Sequence, residues 1–307
     1  MAADLPAKLN QKLKQTLAQW RQWQTPIPLP GPAELVTPLS GGSINSSFLV
    51  QTSDTRQFVV RVNADRNTIA SHNPLLEWRA LNLASEAGLG PTPRYFNLDL
   101  GTLVCDYLPP DSKQHTLPAD VGQLLRKIHA LPAVHTRLQL KEQLARYEHL
   151  ALKQAGQLPQ LIQQTQQPVH KLLTALAGKR EPWVLCHNDL LFANRLYCNE
   201  VLYALDWEYC AMGVCWFDLA VVAAGDELDE HARCELLKHY FAIECVSEAQ
   251  QQRLADYMLV YRYLELLWYY NLEDPQERAT QVNQQRLAKL ELALSQASVP
   301  FEGMGPQ

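Results

Sequence analysis

The chain lacks any excess of positive charge: 27 lysines and arginines stand against 32 aspartates and glutamates, a net charge of -5. A nucleic-acid binder normally carries a basic footprint, so that class is disfavoured. It has no C-x-x-C pair. Its seven cysteines are an odd number, mostly in apolar surroundings, which favours buried free thiols and a reducing, cytoplasmic setting. No apolar run is long enough to span a membrane; the best candidate, Val201 to Ala224, is interrupted by Asp206, Glu208 and Asp218. The N-terminus has no apolar core followed by a small-residue cleavage site, so no signal peptide is expected. Neither G-x-G-x-x-G nor a Walker A loop occurs.

What is present is an ordinary globular balance, 47% hydrophobic and 19% charged over 307 residues, enough for one large or two medium domains. The chemistry concentrates between Trp183 and Asp218. An apolar run, Trp183 to Cys186, reads as a buried strand that empties into a polar turn with His187, Asn188, Asp189 and Asn194. A second β-rich stretch, Val201 to Leu205, delivers Asp206, and the connection between the two is short enough for a hairpin. The spacing matches the H-x-D-x-x-x-x-N…D pattern of kinase catalytic loops. Phosphoryl transfer needs a base for the hydroxyl proton, a role for Asp189, and hard oxygen ligands for Mg²⁺, which suits Asn194 and Asp206. His187 would brace the loop. Asp218, at the start of an apolar helix, would cap that helix or tether the catalytic loop's backbone.

Upstream, residues 5 to 24 place Leu9, Leu13, Leu17 and Trp20 at helical spacing, and a Pro-rich connector follows. The small residues of Ser40-Gly41-Gly42-Ser43 sit between two β runs, and such a turn lets backbone N–H groups approach phosphate oxygens. In the next strand, Phe58, Val60 and Val62 alternate with Arg61, a charge that needs a partner or a ligand. Glu77 supplies a candidate. Its helix is signalled by Ser71 or Asn73 at the cap, Pro74 in the first turn and Gly88 after the end, with Leu76, Ala80, Leu83 and Ala87 as the expected buried stripe. An Arg61–Glu77 pair would hold the guanidinium against nucleotide phosphates. Residues 102 to 108 read as another buried strand ending in Asp106, Tyr107 and Leu108 before Pro109-Pro110. Residues 120 to 130 read as a helix, as does 138 to 177, which is rich in glutamine. His129 reads as a packed or capping histidine. Near the C-terminus, Leu254 to Asn271 form an aromatic helix. Tyr257, Tyr261, Leu264, Trp268 and Tyr269 share much of one face, interrupted by Asp256, Arg262 and Glu265. Aromatic faces beside a carboxylate can hold a cation.

These residues together, Ser40 to Ser43, Phe58-Val59-Val60-Arg61, Glu77, Cys105 to Leu108, His187-Asn188-Asp189…Asn194 and Asp206-Trp207-Glu208-Tyr209, resemble the aminoglycoside phosphotransferase and choline kinase superfamily. They are most similar to its bacterial choline kinase and thiamine kinase branch, over roughly residues 35 to 270. The resemblance implies an α+β, bilobal protein-kinase-like fold. It implies an N-terminal helix and connector (1–32), a β-rich nucleotide-binding lobe (33–108) with a hinge near 108–116, and a mainly helical catalytic lobe (109–307). It also implies ATP and Mg²⁺. Gly41, Gly42, Ser43, Arg61, Glu77, Asp106 and Leu108 fall at the nucleotide, while Tyr261, Glu265, Trp268 and Glu208 fall at the acceptor. The acceptor expected is a small cationic primary alcohol such as choline or thiamine. Alternatives are an aminoglycoside or amino-sugar kinase and, in another class, a catalytically silent nucleotide-binding scaffold. Arginine at 61 replaces the family's usual lysine, and the loop Leu190 to Ala193 is more apolar than the common version. No A-P-E signature follows Asp206, so a protein substrate is not expected. Monomer and dimer stay equally open.

Overall fold

The computed structural model describes residues 6–39, 45–63, 73–112, 116–178, 181–272 and 281–297. The proposed phosphate turn, Ser40 to Ser43, and Ser71 lie outside them. The described chain divides into two compact units. The first takes the residues up to Thr116 together with Ala193–Cys210; the second takes Leu117–Phe192 and the residues from Ala211 onward.

The first unit is built on a five-stranded antiparallel sheet of order β1-β2-β3-β5-β4. Its strands are β1 (Glu34–Leu39), β2 (Asn45–Gln51), β3 (Gln57–Asn63), β4 (Pro93–Asn97) and β5 (Thr102–Asp106). Phe48, Val50, Phe58, Val60, Val62, Tyr95 and Val104 form one apolar face, and Leu13 and Trp23 from the N-terminal segment complete its core. Helix α1 (Ala7–Ala18) is therefore core-forming, not only a cover: Leu13 and Thr16 are buried, and Thr16 Oγ1 donates to Thr102 Oγ1 at 3.0 Å. Helix α2 (Pro74–Glu86) starts where Asn73 accepts the Leu76 N–H, with Pro74 at the first position. Its buried stripe is Leu76, Glu77, Ala80, Leu81 and Ala84. The expected Leu83 is half-buried and Ala87 exposed, because the helix turns Glu77 inward toward Arg61 and rotates the apolar face with it.

The same unit holds a hairpin that the sequence reading missed. Strand β8 (Val201–Ala204) pairs not with the 183–186 run but with β7 (Arg195–Cys198), through a turn in which Asn199 and Glu200 both have positive φ, 51° and 63°. Two left-handed central residues make the type I′ turn whose twist suits a two-residue hairpin. Residues 193–210, assigned to the second lobe from sequence, pack with the first unit.

The second unit is helical around a two-stranded ladder, β6 (Trp183–Cys186) with β9 (Ala211–Val214). The expected single helix over 138–177 is two, α4 (Leu140–Ala155) and α5 (Gln160–Ala177). Gly156 takes the left-handed cap at φ 74° and Pro159 precedes the second start, so the first cannot continue. Helix α3 (Pro118–Ile128) lies against α7 (Glu230–Phe241), and α6 (Cys215–Gly225), buried at all but its last residue, lies against α8 (Glu248–Tyr270). A final helix, α9 (Gln281–Ala297), also packs on α8. All seven cysteines are free; five are buried, Cys234 is half-buried and Cys245 exposed. Among the described residues no helix is long and apolar enough to cross a membrane.

Candidate active site

The first unit places Arg61 on the sheet face opposite the apolar cluster, where strand alternation demands it. The residue is 8% exposed. One side of its guanidinium pairs with Glu77, and Nη1 donates to Asp206 Oδ1 at 2.6 Å. Burial works against the Arg61 charge, but the fields of Glu77, Asp206 and Glu208 outweigh it and raise its pKa. The expected Arg61–Glu77 pair is present. The contact with Asp206 was not foreseen, since 145 residues separate the partners.

Asp206 itself is held at φ 58°, a left-handed conformation uncommon outside glycine, asparagine and aspartate. Its side chain is 30% exposed, and Arg61 occupies only Oδ1. Carboxylate and carboxamide oxygens are the hard donors that Mg²⁺ prefers, so Asp206 and Asn194, in the 3₁₀ turn Phe192–Asn194, fit that ion chemically. Asn194 also accepts the Leu205 N–H through its carbonyl at 2.8 Å, which ties the start of the β7–β8 hairpin to its end.

At the end of β5, both the N–H and the carboxylate of Asp106 are engaged within the unit. The N–H donates to the Thr92 carbonyl at 2.9 Å, and the carboxylate takes Arg94 Nε at 2.7 Å and Nη2 at 2.5 Å. The Tyr107 N–H donates to Gln57 O at 3.2 Å. Leu108 is half-buried in the extended segment that follows.

The second unit carries the loop His187–Phe192. It leaves β6 through Asn188, which has φ 64°. The Asp218 carboxylate, fully buried, accepts the His187 N–H and the Asn188 N–H, each at 2.8 Å, and lies 2.9 Å from His129 Nε2. The other ring nitrogen of His129 meets the Tyr240 hydroxyl at 2.7 Å. Of the two roles expected for Asp218, tethering is the one found; α6 has no side-chain cap. Burial opposes the Asp218 charge, yet the hydrogen bond and charge of His129, helped by His187, pull its pKa below the usual carboxylate value. His129, Cys186 and Asp218 are near enough to suggest a metal site. They do not suit one: Asp218 is already engaged by three donors, and burial drives the Cys186 thiol pKa well up, away from the thiolate a metal needs. His187 is wholly buried, consistent with bracing, and Asp189 is half-buried on the loop.

The acceptor residues named from sequence fall in both units, and each has partners within its own. Glu208 lies in the first unit, where it acts on Arg61. Tyr261 is buried and meets Phe217 edge-on, and Trp268 packs edge-on against Tyr269. Glu265 is gripped by Arg286 of α9, with Nε to Oε1 at 2.8 Å and Nη2 to Oε2 at 2.9 Å, so its carboxylate already has a cation. Sequence offered no sign of this partner, which comes from a polar helix with no motif. A cavity of about 760 Å³ in the second unit is lined by Glu142, Glu181, Trp183, Asn188, Phe217 and Tyr257, among others. It reaches the loop at Asn188.

Comparison with known proteins gives this arrangement a context. Residues 35–257 match the model of the phosphotransferase enzyme family (APH). No curated protein matches the chain. Among solved structures, a choline/ethanolamine kinase family protein from Mesorhizobium loti is similar at a TM-score of 0.73 and 21% identity, covering 95% of this chain and 96% of that one. Choline kinase LicA from Streptococcus pneumoniae gives 0.72 and 21%, with 94% and 100% covered. The amicoumacin kinase hAmiN, in complex with AMP-PNP and Ca²⁺, gives 0.66 and 14%, with 96% of each chain covered. At these identities the likeness carries the fold, which is the α+β, protein-kinase-like one. The family match covers most of the chain and carries the class of chemistry: the chain belongs to the phosphotransferase enzyme family and is a small-molecule phosphotransferase.

Proposed function

We propose that the protein transfers the terminal phosphoryl group of ATP to the hydroxyl of a small cationic primary alcohol, with choline, ethanolamine or thiamine as the acceptor class. The observation that carries the nucleotide half of this reading is Arg61 braced between Glu77 and Asp206. A guanidinium fixed on two sides is pre-organised to meet phosphate oxygens through its planar fork, with little further entropy lost on binding. Asp189 is the base that accepts the acceptor's hydroxyl proton. Asn194 and Asp206 would hold Mg²⁺, which when bound neutralises charge on the phosphates. Gly41, Gly42 and Ser43 would approach the phosphates through backbone N–H groups, and the segment to Leu108 would meet the base. Most of the rate enhancement would come from positioning and charge neutralisation.

The acceptor class is supported by the fold neighbours that are choline or ethanolamine kinases. Glu265 is paired with Arg286 and so does not serve as the acceptor's counter-ion. The free, mostly buried thiols support a cytoplasmic setting.

ADP release measured over choline, ethanolamine, thiamine, hexosamines and aminoglycosides tests the reading. Turnover is expected with a cationic alcohol. Turnover confined to hexosamines or aminoglycosides would replace that acceptor class with the amino-sugar alternative. In the same assay Asp189→Ala should lose about 10²- to 10⁴-fold in kcat while nucleotide binding persists; unchanged turnover would remove Asp189 from its role.

A further inference from the structure

The loop His187–Phe192 is suspended at both ends from a single helix. At its entrance, Asp218 in the first turn of α6 takes the His187 and Asn188 N–H groups. At its exit, Asp226, the residue that ends α6, accepts the Phe192 N–H through Oδ1 at 3.0 Å. Eight residues at the helical rise put these two anchors about 12 Å apart along the axis, so α6 acts as a splint for the loop that carries Asp189. The fit along the splint is close: a Cβ placed on Gly225 would collide with Leu191 of the loop and crowd the Tyr261 hydroxyl at 3.3 Å.

The entrance anchor is buried and backed by His129 and Tyr240. The exit anchor lies in a surface turn where Glu227 takes a left-handed φ of 55°. That end is clamped from outside. Arg286 of α9 donates through Nη1 to Glu227 Oε1 at 2.6 Å and through Nη2 to the Ala224 carbonyl at 3.3 Å, and its other contacts form the two-pronged pair with Glu265 of α8. Lys289 adds a second contact to Glu227 at 3.0 Å. Burial works against the Arg286 charge, but Glu265 outweighs it and keeps the guanidinium charged. One side chain thus ties the C-terminal end of α6 to α8, two residues before Asp226.

We propose that Arg286 is a positioning residue for phosphoryl transfer: by fixing the 224–227 turn on α8 it sets Asp226, and through Asp226 the exit of the loop that aims Asp189. Arg286 touches no reacting atom. The proposal rests on the assignment of the 187–192 loop as catalytic, and the experiment separates the two. Steady-state kinetics with a turned-over acceptor are measured for Arg286→Gln, Asp226→Ala, their double variant and Asp189→Asn, together with thermal melting of each. The expected result is a fall in kcat on the order of 10- to 100-fold for Arg286→Gln, with KM for Mg·ATP within about twofold and no further loss in the double variant beyond the worse single. A kcat within about twofold of the parent, or two losses that multiply independently, overturns it. If Arg286→Gln does not fold, Glu227→Gln decides, because it leaves the Arg286–Glu265 pair in place. Reduced kcat at unchanged melting supports the proposal, and unchanged kcat overturns it. Should Asp189→Asn keep full turnover, the loop assignment fails whatever Arg286 does.

Discussion

Two buried carboxylate clusters organise this protein, and they are built on opposite terms. Around Asp218 every described donor is used: two backbone N–H groups and a histidine close on a carboxylate with no exposure, and a tyrosine closes on the histidine. Around Arg61 the same kind of charge pairing leaves an opening. Glu77 is buried and Asp206 is 30% exposed, in a left-handed backbone conformation that its surroundings must hold in place. A saturated cluster holds a shape. An unsaturated, strained one is where a ligand can still gain something by arriving.

Substitutions that swap these behaviours test the contrast most severely. Asp218→Ala leaves two backbone N–H groups and the buried His129 without their acceptor and should lower unfolding stability by about 3–5 kcal/mol, read by urea denaturation. Asp206→Ala removes a partly exposed carboxylate. Arg61 keeps Glu77, so the stability loss should be smaller than for Asp218→Ala, while turnover falls at least about 100-fold. If Asp206→Ala proves the more destabilising of the two, the distinction between the clusters is wrong.

A finer test is titration. The Asp218 carboxyl is held below its ordinary value in the folded state, so its contribution is fully present above the unfolded carboxylate pKa near 4 and disappears as pH falls through the lower folded value. Stability should therefore drop on acidification below about pH 4. Asp218→Asn should flatten that part of the curve, and an unchanged acid limb would contradict the assignment. The smallest effect is expected at the edge of the same cluster. Tyr240→Phe removes only the hydroxyl that meets His129 and should cost about 1 kcal/mol in stability, with kcat unchanged; a loss of turnover would show the cluster to be less rigid than described.

Where sequence succeeded, the signal was local. Arg61 declares itself by being a charge inside an apolar strand. Glu77 follows because a helix after that strand must turn one face toward the sheet. Asp218 could be placed because an acid opening an apolar helix has few other uses. The failures were relational. Nothing near Val201 says that its partner strand is Arg195–Cys198, since Asn199-Glu200 is not a common type I′ pair. Asp206 meeting Arg61 depends on a separation of 145 residues. Glu265 looked like a free carboxylate beside aromatics because its cation comes from a helix that carries no motif. The division of 138–177 was legible, in Gly156 and Pro159, but the glutamine-rich periodicity on either side concealed it.

Helix α1 bears on how the protein should be handled at the bench. The family match begins at residue 35, and trimming expression to that point would be a natural choice. Yet Leu13 and Trp23 sit against Phe58 and its neighbours, with the Trp23 and Phe58 rings 5.3 Å apart. A version starting at 35 would strip one side of the sheet bare, leaving aromatic and branched side chains facing water. Insolubility of such a truncation would reflect that stripped surface and say nothing about the chemistry of the site.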